Sequence, residues 1–111
     1  MFERPASGER AILVCVGLGR APEPDRVEEF GALARSAGAQ VLDVLVPTRK
    51  SADPRFLIGS GKVEELRARV AALVADLVVI DGALSPSQER NLEKELQCRV
   101  LDRSGLILDI F

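Results

Sequence analysis

The run Ala11-Ile-Leu-Val-Cys-Val16 is apolar at six successive positions, and it decides the fold class. A strand with one wet face alternates apolar and polar residues, whereas a continuous apolar run is typical of a strand covered on both faces. Further strand patterns follow at 41–46, 77–80 and 99–102. Strands of this kind belong to sheets with helices packed on each side, so the pattern predicts an α/β protein.

Helical patterns separate these strands. Segment 25–37 has apolar residues at helical spacing, and a second helix opens at 59–61. A third begins at Ser85, which is the N-cap of a capping box with Gln88 at N3, and it runs to about Gln97. Strands and helices alternate at the spacing of right-handed βαβ crossovers. We therefore predict a small three-layer α/β domain with a mainly parallel four-stranded sheet in the flavodoxin-like order 2-1-3-4.

Length, composition and charge limit the chain to a single small domain without catalytic chemistry. It has 111 residues, 47% of them hydrophobic and 29% charged, which is ordinary globular composition. With 15 basic and 17 acidic residues the net charge is −2, which argues against a free-standing protein that binds nucleic acid through bulk positive charge. Histidine is absent, so the commonest general base and metal ligand is missing. We expect neither catalysis nor a metal site in this chain.

The cysteines and the apolar segments indicate an intracellular protein. Cys15 lies within an apolar run and Cys98 stands beside one, so both are predicted to be buried thiols rather than a disulfide. Residues 1–8 are polar, without the apolar region of a signal peptide, and are predicted to be a flexible segment before a domain at 9–111. The apolar stretch 70–80 is too short to span a bilayer. We therefore expect a cytoplasmic protein with no membrane span.

The last segment, Leu106-Ile-Leu-Asp-Ile-Phe111, is apolar on nearly every side. Exposed apolar patches of this kind bind partners. We therefore expect 104–111 to begin a helix that continues into further domains, against which segment 106–111 packs. A C-terminal helix docked on the domain itself is the alternative, and weak self-association of the isolated chain is a third interpretation.

Two glycine motifs invite a nucleotide-binding interpretation. Gly59-Ser-Gly-Lys62 is similar to part of a P-loop, but Phe56 stands where the first glycine is required and Val63 replaces the Mg²⁺-binding hydroxyl. A helix-capping turn is favoured there. A weaker alternative is that backbone amides at the start of the helix, together with Lys62, hold one anion.

The second motif, Gly17-Leu-Gly19, follows the first predicted strand, but Pro22 occupies the position of the third glycine of a dinucleotide fingerprint. Open parallel sheets nevertheless bind ligands at the carboxyl ends of their strands. A small-molecule or adenine-nucleotide site is therefore the alternative function. Its candidate lining residues are Gly17, Gly19, Asp81 and Gly82, with Asp81 able to hold a ribose or Mg²⁺.

Positive charge is concentrated in the loop between Pro47 and Lys62, where Asp53 is the only acid. The predicted helix 85–97 has a narrow apolar face and is expected to turn its polar side chains outward, Gln88 among them. Arginines and amides suit contacts with phosphate and sugar, which position a protein on nucleic acid. The alternative is a solvated loop and a solvated helix face. The candidate RNA-binding residues are Arg49, Lys50, Arg55, Lys62, Arg90, Asn91 and Lys94.

Three segments carry a family resemblance: Phe56-Leu-Ile-Gly-Ser-Gly-Lys-Val-Glu-Glu-Leu66, Leu84-Ser-Pro-Ser-Gln-Glu-Arg-Asn-Leu-Glu93 after Asp81, and Val100-Leu-Asp-Arg-Ser-Gly-Leu-Ile-Leu-Asp-Ile-Phe111. In this order and at this spacing, the chain from Glu9 onward resembles the N-terminal domain of the HflX family of ribosome-associated GTPases. The resemblance implies that a helical hairpin follows, and then a G domain that binds GTP and Mg²⁺ and hydrolyses the GTP. This chain itself would hold no cofactor.

The same resemblance implies partners. Members of the family associate with the large ribosomal subunit through its RNA and help to split or rescue stalled ribosomes under stress. The N-terminal domain is then expected to contribute RNA contacts and to regulate the G domain. On this basis the candidate RNA-binding residues of the loop and of the third helix are the leading site prediction.

Overall fold

The computed structural model describes residues 9–50, 53–82 and 84–103. The segment predicted to be flexible, 1–8, and the predicted helix start, 104–111, lie outside the described residues. The elements in chain order are β1 (Glu9–Cys15), β2 (Gly17–Leu18), α1 (Pro24–Ser36), β3 (Ala39–Leu45), β4 (Thr48–Arg49), α2 (Ser60–Leu73), β5 (Leu77–Asp81), α3 (Pro86–Leu96) and β6 (Arg99–Asp102).

The main sheet of the described chain has four strands in the order β3-β1-β5-β6, and each neighbouring pair is parallel. These four are the predicted strands, and their order is the predicted 2-1-3-4. The α/β fold class is therefore confirmed. None of the helices in the described ranges is long and apolar enough to cross a membrane.

The continuous apolar run of β1 fills two separate cores. Ile12 and Val14 point to the face that packs against α2 and α3, through side chains such as Leu66 and Leu92. Ala11, Leu13 and Cys15 point to the opposite face, where α1 contributes Phe30. Every one of the β1 residues from 11 to 15 is at most 1% exposed. A central strand buried on both faces cannot alternate apolar and polar residues, which is why its sequence is the clearest fold signal.

A second, two-stranded parallel sheet lies beyond the carboxyl ends of β1 and β3, where the sequence predicted only loops. It pairs β2 with β4. The backbone N–H of Gly17 donates to the Pro47 carbonyl at 2.9 Å, and that of Gly19 donates to the Arg49 carbonyl at 2.6 Å. Strands of two residues are too short to carry a periodic signal. The pairing holds the start of the basic loop against the chain that leaves β1.

Helix α3 begins with the predicted capping box. The Ser85 hydroxyl accepts a hydrogen bond from the Gln88 backbone N–H at 3.1 Å, and the Gln88 side-chain oxygen accepts one from the Ser85 backbone N–H at 2.9 Å. The prediction that Gln88 turns outward is wrong, because this residue is only 9% exposed. Both ends of its amide are used inside the protein.

Both cysteines are buried free thiols, as predicted. Burial is the main reason that the pKa of Cys15 rises to about 11 and the pKa of Cys98 to about 12. Both side chains therefore pack as neutral apolar groups at physiological pH.

Candidate nucleic-acid interface

The basic loop contains a closed, hydrogen-bonded turn from Asp53 to Leu57. The backbone N–H of Asp53 donates to the Leu57 carbonyl at 2.9 Å, and the N–H of Leu57 donates back to the Asp53 carbonyl at 2.8 Å. The Asp53 carboxylate accepts from the backbone N–H groups of Arg55 and Phe56, at 2.8 and 3.0 Å. These two bonds are the main reason that the pKa of Asp53 is lowered, and the charges of Arg49 and Arg55 act in the same direction.

The turn is anchored in the core by the apolar residues at its end. Phe56, Leu57 and Ile58 are buried, and Leu57 has a φ of 69°, which is costly for a residue with a side chain. A side chain added to Gly82 would come within 2.9 Å of the Leu57 Cδ2 atom. The turn therefore lies over the carboxyl end of β5. This contact fixes the position of the turn and of Arg55, the cation within it.

Helix α3 contacts the backbone of this turn through two side-chain amides. The Gln88 Nε2 atom donates to the Asp53 carbonyl at 2.8 Å, and the Asn91 Nδ2 atom donates to the Arg55 carbonyl at 3.1 Å. The Arg55 guanidinium lies over the Phe56 ring, 4.9 Å from its centroid, which is cation–π geometry. The two groups of candidate residues, one on the loop and one on α3, are thus joined at a single surface.

The candidate residues differ in what their side chains do. Lys50, Arg55, Arg90 and Lys94 are exposed. Asn91 is half-buried and serves the turn, so its amide is already engaged within the protein.

The remaining two candidates lie at the start of α2. The Arg49 guanidinium is packed so closely over Gly59 that any side chain there would collide with it. Lys62 pairs with Glu65 at 3.3 Å. A groove of about 270 Å³ separates this helix start from the turn and from α3, and its lining includes Arg55, Ser60 and Glu95.

The residues around Gly59 do not fit a phosphate-binding loop. Val63, which occupies the position of the Mg²⁺-binding hydroxyl, is 4% exposed and packs in the core. Its backbone N–H donates to the Gly59 carbonyl at 3.1 Å, which is an ordinary first bond of a helix. Single-anion binding at this helix start remains a prediction.

In the alternative ligand crevice, the acidic residue Asp81 already forms ion pairs within the protein. Asp81 is 3% exposed, and its two carboxylate oxygens accept from Arg26 Nε at 2.9 Å and from Arg26 Nη2 at 3.1 Å. The Arg103 Nη1 atom lies 3.7 Å from the same carboxylate. The hydrogen bond to Asp81 also raises the pKa of Arg26.

Among the described residues, two depressions adjoin this ion pair, and the one of about 570 Å³ is lined by Arg26, Arg103 and acidic residues that include Glu29. The other, of about 250 Å³, is lined by Gly17 and its neighbours. A side chain at Gly17 would collide with the Arg20 carbonyl and come within 2.8 Å of Pro22 Cδ. Gly19, with a φ of 85°, has open space around it, and Gly82 lies under Leu57. Ligand binding there remains a prediction that no contact of Asp81 favours.

Sequence reasoning did not assign Arg26 or Arg103 to any site. A signal was present, because an aspartate at the end of a fully apolar strand is buried and needs a cation or hydrogen-bond donors beside it. The pattern does not say which cation fulfils that need, since Arg26 stands 55 residues earlier in the chain.

Comparison with known proteins identifies relatives of this domain. The family described as GTP-binding GTPase N-terminal matches residues 24–111. The GTPase HflX of Escherichia coli strain K12 is 45% identical over 111 residues, which is all of this chain and 26% of that protein. The GTPase HflX of Caldanaerobacter subterraneus subsp. tengcongensis is 39% identical over 111 residues, again all of this chain and 26% of that protein.

A solved structure has the same fold. The crystal structure of SsGBP in complex with GDP superposes with a TM-score of 0.71 and 25% sequence identity, covering 92% of this chain and 28% of that one. The chain therefore spans about a quarter of the length of the curated relatives that it matches.

Proposed function

The chain belongs to the GTP-binding GTPase N-terminal family, as the amino-terminal domain of an HflX-type GTPase, and on that premise we propose that it is a ribosome-binding and regulatory module. The whole protein would hydrolyse GTP with Mg²⁺ in a G domain that follows this one. It would act in the cytoplasm on the large ribosomal subunit, splitting or rescuing stalled ribosomes under stress. This domain would contribute contacts to ribosomal RNA, and it would carry no catalytic group.

One observation carries the RNA-contact proposal. The exposed cations of the turn and of α3 are joined at one surface by the hydrogen bond from Asn91 to the Arg55 carbonyl and the hydrogen bond from Gln88 to the Asp53 carbonyl. Arg55 is the exposed cation of the turn, and Lys94, one turn of α3 beyond Asn91, is an exposed cation on the same side of the helix. Arginine and lysine at such a surface bind phosphates without reading sequence.

The low net charge sets the expected strength of binding. At a net charge of −2 there is no long-range attraction to RNA, so affinity must come from this local surface and from other domains of the whole protein. Binding by the isolated domain should be weak, and it should weaken further as salt is raised.

The test is co-sedimentation of the domain with purified large ribosomal subunits over a salt series. We expect Arg55→Glu to lower the association constant and to reduce the slope of its logarithm against that of the salt concentration by about one. Arg35→Glu is the matched control, because Arg35 is an exposed arginine on α1, which packs on the opposite face of the sheet.

Equal binding by both variants would contradict the proposed interface. Lys50→Glu combined with Arg55→Glu should reduce the salt slope by about two, and the remainder should come from the other cations of the interface. A salt slope that the double substitution leaves unchanged would assign the ribosome contact to a different surface.

A further inference from the structure

We propose that Gln88 is a positioning residue of this interface: its side chain fastens the 53–57 turn to α3, so that cations on both elements bind one RNA backbone as a single rigid surface. The inference rests on the proposed function, and it assigns to Gln88 a role that requires no contact with RNA.

The argument begins with the two halves of the Gln88 amide. Its oxygen accepts from the Ser85 backbone N–H at 2.9 Å and completes the capping box. Glutamate would complete such a box equally well, because only an acceptor is needed. The Nε2 group has a different partner, the Asp53 carbonyl at 2.8 Å, which lies 35 residues away in sequence. Of the two residues that complete a capping box, only glutamine supplies both the acceptor and the donor.

The bond to the turn is made at the atom that closes it. The Asp53 carbonyl accepts from the Leu57 backbone N–H and from Gln88 Nε2, both at 2.8 Å, so both of its lone pairs are used. The turn also contains the unfavourable φ of Leu57, and a strained conformation persists only where its surroundings hold it. Gln88 is 9% exposed, so its hydrogen bonds are shielded from competing water.

The consequence for binding follows from the positions of the cations. Arg55 is two residues from the Asp53 carbonyl that Gln88 holds, and Lys94 lies one turn of α3 beyond Asn91, the other residue that contacts the turn. A phosphate that contacts a loose turn must also order it, and this ordering reduces the affinity. A turn that Gln88 holds against α3 is already ordered before RNA binds. Gln88 should therefore affect affinity without changing the number of phosphate contacts.

The decisive variant is Gln88→Glu, which keeps the capping acceptor and removes the donor to Asp53. It also adds a negative charge near the interface, so Ser87→Glu is the control: Ser87 is an exposed neighbour in the first turn of the same helix. Ser85→Ala is the opposite control, because it removes the hydroxyl of the cap and leaves the Gln88–Asp53 bond. Asn91→Asp, which removes the second donor to the turn, is the reserve variant if Gln88→Glu does not fold.

Two measurements are made on each variant: amide hydrogen exchange, and binding to large ribosomal subunits over a salt series. Relative to Ser87→Glu, we expect Gln88→Glu to accelerate exchange of the Leu57 N–H while the amides within α3 keep their protection. Affinity should fall about three- to tenfold with an unchanged salt slope, because a rotamer-rich segment is released but no cation is lost. Ser85→Ala should instead accelerate exchange at the start of α3.

Each other outcome has a defined meaning. Equal Leu57 exchange in Gln88→Glu and Ser87→Glu would overturn the fastening role. If Gln88→Glu binds ribosomes as Ser87→Glu does while Arg55→Glu binds weakly, the inference is wrong and the proposed interface stands. If Arg55→Glu also binds normally, the proposed interface fails, and the role of Gln88 in RNA binding fails with it.

Discussion

Two clusters of charge lie near the carboxyl edge of the sheet, and they use arginine in opposite ways. In the turn beside α3 the Arg55 backbone is hydrogen-bonded while its side chain lies exposed over the Phe56 ring. In the cluster after β5, the Arg26 and Arg103 guanidinium groups face the buried Asp81 carboxylate. A cation whose charge is matched internally contributes to stability, whereas one whose backbone is held and whose side chain is exposed remains available to a partner.

The largest expected effect separates two residues that both have a positive φ. Leu57 and Val74 both have positive φ, 69° and 53°, but Leu57 is buried beneath the turn and Val74 is 68% exposed. Leu57→Gly should lower the free energy of unfolding by about 3 kcal/mol, because lost burial exceeds the strain relieved. Val74→Gly should raise it by about 0.5–1 kcal/mol. Urea denaturation measures both, and a gain in stability for Leu57→Gly would contradict the anchoring role of the turn.

The second effect concerns the buried ion pair. Arg26→Ala should lower the free energy of unfolding by about 2 kcal/mol, because among the described residues it leaves Arg103 as the cation that faces the buried Asp81 carboxylate. The loss is smaller than for a fully buried pair because the Arg26 side chain is 57% exposed. Arg55→Ala should change stability by less than about 0.5 kcal/mol. The comparison fails if thermal or urea unfolding gives the two variants equal stability.

A third prediction concerns pH and the Asp53 carboxyl. Its pKa is lowered in the folded state, so its contribution to stability is present above the ordinary aspartate pKa of about 3.9 and is lost as the pH falls through the lower folded value. The carboxyl-carbon chemical shift should therefore titrate below pH 3.9. Asp53→Asn keeps a side-chain acceptor for the Arg55 and Phe56 N–H groups but does not titrate. In this variant, the protection of the Arg55 and Phe56 amides against hydrogen exchange should no longer change over the pH range in which Asp53 titrates.

The smallest expected effect on the free energy of unfolding at neutral pH comes from ionisation of the two cysteines. Both thiols have raised pKa values, about 11 for Cys15 and about 12 for Cys98, so the stability they contribute is complete below the unfolded thiol pKa. The free energy of unfolding should decline as the pH rises from about 9 towards 12. Serine at both positions should flatten that decline. Rapid reaction of either thiol with a disulfide reagent at pH 8 in the folded protein would contradict the burial.

The parts of the fold that could be predicted are those encoded over short distances. The apolar run of β1, the spacing of α1 and the capping box at Ser85 each lie within one element. The alternation of strands and helices indicates parallel crossovers, but it does not by itself determine the strand order. The two-residue strands β2 and β4 could not be predicted, because their pairing joins segments that show no periodicity by themselves.

The candidate interface was predictable in composition but not in arrangement. The excess of positive charge in the loop is visible in the sequence, whereas the inward turn of Gln88 depends on a carbonyl 35 residues away. Asn91 was predicted as an RNA contact, yet its amide contacts the Arg55 carbonyl, 36 residues away. Lys62 finds its acidic partner only three residues on, at Glu65, which a helical wheel would have indicated.

The central position of β1 has a consequence for the order in which the domain forms. This strand is made first, but its two neighbours in the sheet, β3 and β5, are made afterwards, and β5 ends at Asp81. During synthesis this apolar strand therefore has at least one edge unpaired until more than half of the sequence has followed it. Pairing of β1 with β5 depends on contacts between residues far apart in the sequence, and such contacts slow folding. The segment that identifies the fold most clearly is thus the one most open to wrong partners before the fold exists.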